Sequence, residues 1–367
     1  MRPSDAHEPV GRVRRWIAPF LMTVVTIGCG SSPTGAPFPA ATAPGPSVVS
    51  PSPVASLSTV APSTASASPS GDPVASLRTP IDQLGSRLLA TIDVGGEPEW
   101  IGAGLDAIWV TNRGLRSVQR IDHTRNAVVA SVEVNEPCNG FAFAFGAVWT
   151  ASCADQSLIR IDPAGRQVTR RISTPVAGDG EGQVAAGFGS VWIAGGDGRL
   201  LRLDPTSDRF SASIPIPHGA DAVVAGSAAV WLTDPDGNEV LKVDPNTNTV
   251  SGRIVVGPHP QFLAASATDV WVLNQDDGTV SRIDAGTGAV RTIATDSPGR
   301  DVGCIGAGLD AAWVTVPNLP LTRVDARSGS VTEQFSGPGG DCLTTGFGSI
   351  WLVNNALGSV SRIAPSR

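Results

Sequence analysis

The amino-acid sequence predicts an all-β protein, a seven-bladed β-propeller closed into a ring. Three observations carry that prediction. One phrase, Gly187-Phe188-Gly189-Ser190-Val191-Trp192-Ile193, recurs in near or looser copies around Trp109, Trp149, Trp231, Trp271, Trp313 and Trp351. These seven tryptophans lie 40, 43, 39, 40, 42 and 38 residues apart. A second phrase, Arg202-Leu203-Asp204 in the same repeat, ends 12 or 13 positions after each tryptophan. Between the phrases run short apolar stretches broken by Gly, Asn, Asp and Pro, the pattern of antiparallel meanders. A period near 40 with this composition is that of propeller blades.

The chain has 367 residues and a net charge of −7. That charge argues against a nucleic-acid partner, whose phosphates need a basic face. Lys242 is the only lysine, so lysine chemistry elsewhere is excluded.

Residues 1–29 read as an export signal. Arg12, Arg14 and Arg15 precede an apolar run from Trp16 to Ile27, too short for the ~20 residues of a membrane span. The run ends in Thr26-Ile27-Gly28-Cys29, which resembles a bacterial lipobox, although Thr26 stands where an aliphatic residue is usual. The expectation is lipid on Cys29 and an extracytoplasmic domain tethered to the bacterial cell membrane. An ordinary secretory signal is the alternative.

Residues 30–79 are almost entirely Ser, Pro, Ala, Thr, Gly and Val. Such a segment buries too little apolar surface to offset its ordering entropy, so a disordered linker is expected.

Residues 80–367 form the expected propeller. In the fifth repeat the predicted strands are Phe262–Ser266, Asp269–Leu273, Val280–Ile283 and Val290–Ile293. The seventh repeat reaches Arg367 just after its third strand. Its fourth strand is expected at the other end of the domain. There Leu88-Leu89-Ala90-Thr91-Ile92-Asp93-Val94 matches Val128-Val129-Ala130-Ser131-Val132-Glu133-Val134 position by position. The N-terminal strand should therefore close the last blade and leave no free edge inside it.

Each repeated tryptophan reads as a wedge between blades rather than a ligand face, because seven placements are alike. The Asp after each third strand reads as a turn former whose carboxylate accepts from backbone N–H groups two residues on.

These phrases resemble the YVTN-repeat, YncE-like propellers over about residues 86–367. The resemblance implies a propeller outside the cytoplasm and no particular activity. The Val-Trp-Ile/Val phrase also resembles the virginiamycin B lyase family, which implies a metal-dependent lyase using histidine and magnesium. This chain departs from that family. Gly257 stands shortly before His259, and Leu273 and Asn274 follow Trp271, where acidic metal ligands would be needed.

Four cysteines remain beside Cys29, an even number for an exported domain. A two-residue turn at Phe145-Gly146 sets Cys138 opposite Cys153. Cys304 and Cys342 each lie nine residues before their blade's tryptophan, on equivalent inner strands. The expected disulfides are Cys138–Cys153 and Cys304–Cys342. The first closes a loop worth roughly 3 kcal/mol in the chain-entropy model. No C-x-x-C pair suggests a metal site.

Ligands of propellers usually sit at one mouth of the central channel, where loops enter the innermost strands. The resemblance places these loops about nine to thirteen residues before each tryptophan, and the polar candidates there are Glu97, Glu99, Asn139, Glu181, His218, Asp221, His259, Gln261, Asp301 and Asp341. So many carboxylates favour a cation or a polar, neutral-to-cationic ligand. His218 and His259 occupy nearly the same place in consecutive blades and could act as bases or metal ligands. No G-x-S-x-G, H-E-x-x-H or P-loop is present. The leading expectation is a monomeric binding or interaction module for a small polar ligand or an envelope protein. A lyase using His218 and His259, and a structural envelope protein, are the alternatives. The sequence names no cofactor.

Overall fold

The computed structural model describes residues 74–176, 182–216, 218–297 and 303–366. The expected export signal, Cys29 and the linker up to residue 73 lie outside the described residues.

Each tryptophan phrase begins with a hairpin. In the third repeat Phe188 and Gly189 take φ of 52° and 72°. This left-handed pair suits the twist of the flanking strands. They are Val184–Gly187 and Ser190–Gly195. Arg199–Asp204 and Arg209–Pro215 complete a four-stranded antiparallel blade in meander order. The other repeats fold alike, giving seven sheets. In the fifth the strands are Pro260–Ala265, Asp269–Asn274, Val280–Asp284 and Val290–Ile293, within two residues of the expectation. Every residue of the second strand is buried in all seven blades. These strands are covered on both faces by neighbouring blades, so their apolar runs need not alternate.

The seven tryptophans are at most 1% exposed, which excludes them as ligand faces. Their polar atom is satisfied locally. Trp192 Nε1 donates to Gly187 O at 3.0 Å, and five others donate to the carbonyl at the same offset. The second phrase then explains itself. Arg202 pairs with Trp192 across the strands and lays its guanidinium 4.8 Å from the indole centroid. Arg160, Lys242, Arg282, Arg323 and Arg362 do the same in their blades. Sequence reasoning missed this cation–π contact.

The same side chains clamp the following blade. Arg202 Nη1 donates to Pro245 O at 2.6 Å and to Asn248 Oδ1 at 2.9 Å. Lys242 Nζ reaches Ala285 O at 3.0 Å, and Arg282 Nη1 reaches Ala326 O at 2.6 Å. Arg362, in the last blade, donates to His123 O at 2.6 Å and Asn126 Oδ1 at 3.0 Å in the first. The clamp that joins consecutive blades thus also joins the ends of the ring.

Ring closure is otherwise as expected. Leu88–Asp93 pairs antiparallel with Ser359–Ile363, with Thr91 opposite Ser361 and Ile92 opposite Val360. At the seam between blades seven and one, a Cβ on Gly346 would strike Ala103, so only glycine lets the two inner strands approach. His123 stacks on Phe347 there with ring centroids 3.9 Å apart.

The linker boundary expected at residue 79 needs correction. Val74–Leu77 is a 3-10 turn, and Arg78–Pro80 is a strand lying parallel to Ser330–Ser336, the outermost strand of blade six. Arg78 Nε donates to Gln334 Oε1 at 2.7 Å. A second 3-10 segment, Ile81–Arg87, then leads to the closing strand. Leu84 is buried in a cluster with Phe335 and Ile363. Arg87 forms two bonds to Glu333, at 2.8 and 2.9 Å. The strap escapes composition because Val74-Ala75-Ser76-Leu77 reads like the linker before it.

Both expected disulfides are present, with Cα separations of 5.8 Å for Cys138–Cys153 and 4.9 Å for Cys304–Cys342. The register slips by two residues between Ala142↔Trp149 and Pro137↔Ser152, yet the first pair still faces across its hairpin.

The Asp residues behave as turn formers. Asp122 Oδ1 accepts from Thr124 N at 2.8 Å, Thr124 Oγ1 at 2.7 Å and Arg125 N at 3.1 Å. Asp204, Asp244, Asp284 and Asp325 accept from equivalent backbone groups. The Thr124 hydroxyl and these N–H groups hold Asp122 down to about 2, below its unfolded value of 3.8. The folded pKa is depressed, so this contribution is present above the unfolded value and is lost as pH falls through about 2. Asp122→Asn should therefore flatten the fall in melting temperature between pH ~4 and ~2, read by calorimetry against the unchanged chain.

Candidate functional site at the channel mouth

The innermost strands of all seven blades line one channel of about 330 Å3, and the side chains along it are largely apolar. Trp100, Ile101, Phe141, Val184, Val223 and Phe262 are among them. At the end where the inner strands begin, a cavity of about 470 Å3 opens between blades five, six, seven and one. Glu99, Trp100, Phe262, Asp341 and Asn355 line it. Trp100 and Phe262 border both spaces, so they divide channel from mouth. Their ring centroids are 5.9 Å apart at an interplanar angle of 57°.

Of the ten expected mouth residues, Glu99 and Asp341 line this cavity. Asp341 Oδ2 accepts from Asn355 N at 2.7 Å. Glu99 Oε1 lies 3.9 Å from Arg113 Nη1, whose partner guanidinium nitrogen bonds Glu136 at 3.1 Å. Glu99 Oε2 is buried and has no hydrogen-bond partner among the described residues. Burial is the largest influence on this carboxyl and raises its pKa; Arg113 opposes it, while Asp341, Glu97 and Glu136 raise it further. Glu97 is exposed beside it, held through its backbone by Asn112 Oδ1.

The other candidates are placed differently. Asn139 is fully buried, and its Oδ1 accepts from Gln183 N at 2.7 Å. Through that oxygen it ties blade two to blade three, while its Nδ2 is buried without a hydrogen-bond partner among the described residues. Asp221 and Gln261 are half-buried, and Gln261 O accepts from Thr233 Oγ1 at 3.2 Å. Glu181 and Asp301 lie outside the described residues.

His218 and His259 are not joined to each other. His218 Nδ1 faces the carboxylate of Asp234 at 3.2 Å, and Asp234 is fully buried. His259 is held by its backbone, its N–H donating to Asn238 Oδ1 and its carbonyl accepting from Gln275 N. Both have left-handed backbones, with φ of 62° and 51°. Histidine is among the residues that tolerate this conformation, which gives their recurrence a turn-forming cause. Among the described residues, no group of three or more His, Cys, Asp or Glu is arranged to hold a metal ion.

Trp100 and Phe262 were missed as site residues. The signal for them was present: each lies nine residues before its blade's tryptophan, the offset also held by Cys304 and Cys342. That position rings the top of the channel.

Among solved structures, the chain is similar to the Pan2 WD40 domain of Neurospora crassa. The TM-score is 0.59 at 11% identity, covering 74% of this chain and 90% of that one. It is also similar to hydrazine synthase of Kuenenia stuttgartiensis, with a TM-score of 0.61 at 14% identity, covering 74% of this chain and 96% of that one. The likeness is one of fold, the β-propeller. No protein-family model matches the chain, and no curated protein sequence matches it.

Proposed function

We propose that this protein is an extracytoplasmic binding module, tethered to the membrane by lipid on Cys29, that takes a ligand or a partner's side chain at the channel mouth. One observation carries the reading. The residues the repeats share are occupied by the scaffold: tryptophans wedge, arginines clamp and aspartates turn chains. Residues that break the repeat, Glu99, Trp100, Phe262 and Asp341, gather around the mouth cavity. Concave sites with apolar walls and a few convergent polar groups are the usual form of ligand sites. Two disulfides support an oxidising compartment. The repeat phrases support a place among the YVTN-type propellers.

A screen of small polar compounds and envelope proteins against the chain and its Trp100→Ala variant tests the reading. Binding that the substitution weakens supports it. Binders indifferent to Trp100 would move the site elsewhere.

A second reading, a metal-dependent lyase, draws on the His218–Asp234 contact, since a buried carboxylate can orient an imidazole base. Stoichiometric divalent metal in the purified protein, lost on His259→Ala, would favour it.

A further inference from the structure

We propose that the mouth cavity binds an organic ammonium ion, held by the carboxylates of Glu99 and Asp341 against the faces of Trp100 and Phe262. The inference rests on the mouth being a binding site and names its ligand class.

Charge is the first argument. The groups acting on Glu99 are Glu97, Glu136 and Asp341 on one side and Arg113 alone on the other. Arg113 bonds Glu136 and stands 3.9 Å from Glu99, beyond hydrogen-bond reach. Glu99 Oε2 is left buried and without a hydrogen-bond donor among the described residues. A buried carboxylate oxygen without a donor is costly, and an added cation relieves that cost. Asp341 is already steadied by Asn355 N, so it presents a fixed charge rather than a mobile one.

Shape is the second. Trp100 and Phe262 meet at 57° and make an aromatic corner facing the cavity. Aromatic faces attract cations, most strongly when water is excluded, and tryptophan does so best. Six of the seven repeated tryptophans, all but the fully buried Trp109, already hold arginine or lysine. No such internal cation covers Trp100 among the described residues. The cavity of about 470 Å3 has room for an alkylammonium group with its substituents. A bare metal ion would leave the aromatic corner unused, so the chemistry favours a cation with an apolar skin.

Titration calorimetry on the full chain carrying Cys29→Ser tests this, with choline as the probe and its uncharged isostere 3,3-dimethyl-1-butanol as the control. Choline should bind, the alcohol should not, and affinity should fall with added salt. Trp100→Ala and Glu99→Gln should each weaken choline by about tenfold. Trp100→Phe, which preserves packing, should weaken it less. Melting curves confirm that each variant is folded. Equal binding of choline and the alcohol would overturn the proposal, as would choline affinity unchanged by both substitutions. So would the absence of choline binding up to about 10 mM. If, in that event, a neutral or anionic ligand or a protein still binds and Trp100→Ala blocks it, the ligand class is wrong and the mouth reading stands. If no binder depends on Trp100, both fall.

Discussion

Trp192→Ala should destabilise the propeller by ~3–5 kcal/mol, the range for truncating a fully buried large aromatic. The indole is 0% exposed, and its loss leaves a void that a rigid blade interface cannot collapse into. Two further losses follow. Gly187 O gives up its Nε1 donor, and Arg202 loses the ring beneath its guanidinium while still reaching Pro245. Trp192→Phe should cost less, because most of the ring volume remains and one hydrogen bond, worth about 1 kcal/mol, is removed. Trp100→Ala should cost less than Trp192→Ala, since Trp100 is only half-buried at the channel mouth. Urea unfolding of the three variants checks this order. Equal effects of Trp192→Ala and Trp100→Ala would mean the repeated tryptophans are not the wedges between blades.

Ile92→Asp should cost about 4 kcal/mol, by placing an unpaired charge where an apolar side chain was buried. Ile92 is 3% exposed and packs with Val94, Trp351 and Val360, on the strand that completes blade seven. Leu89→Asp, three residues away on the same strand, should shift stability by less than ~0.5 kcal/mol, because Leu89 is 49% exposed. Thermal melts of both variants separate a strand that holds the blade together from a loosely attached tail. A similar small loss in both would mean the ring holds without this strand.

The ring was legible because it is written seven times. Trp109 to Trp351 set the period, and Leu88–Val94 matched an outer strand closely enough to place the closing element. Disulfide pairing was legible for a related reason. Cys304 and Cys342 share an offset, so their neighbourhood in space followed from the repeat. The strap at residues 74–87 was not legible. Its order comes from long-range contacts, Arg78 with Gln334 and Arg87 with Glu333, which local composition does not report.

At the mouth, loop position found Glu99 and Asp341 but could not tell them from Asn139, whose amide ties blades two and three. Trp100 was hidden in plain view, because attention to the tryptophans that repeat passes over one that does not. The paired histidines share a backbone cause as well as a place. Their matching places reflect a left-handed turn in each of the two blades, and each imidazole or backbone is held by its own separate partner.

The most direct test of the closed ring is a cross-link between its two ends. Thr91 and Ser361 are directly opposed in the antiparallel pair, a geometry compatible with a disulfide. In the Cys29→Ser chain, Thr91→Cys combined with Ser361→Cys should form that bond within one molecule under mild oxidation. Peptide mapping should recover the peptides bearing these two substitutions as one linked pair, and the melting temperature should rise. Free thiols at both positions, or linkage only between different molecules, would contradict the account and remove the axial cavity with it.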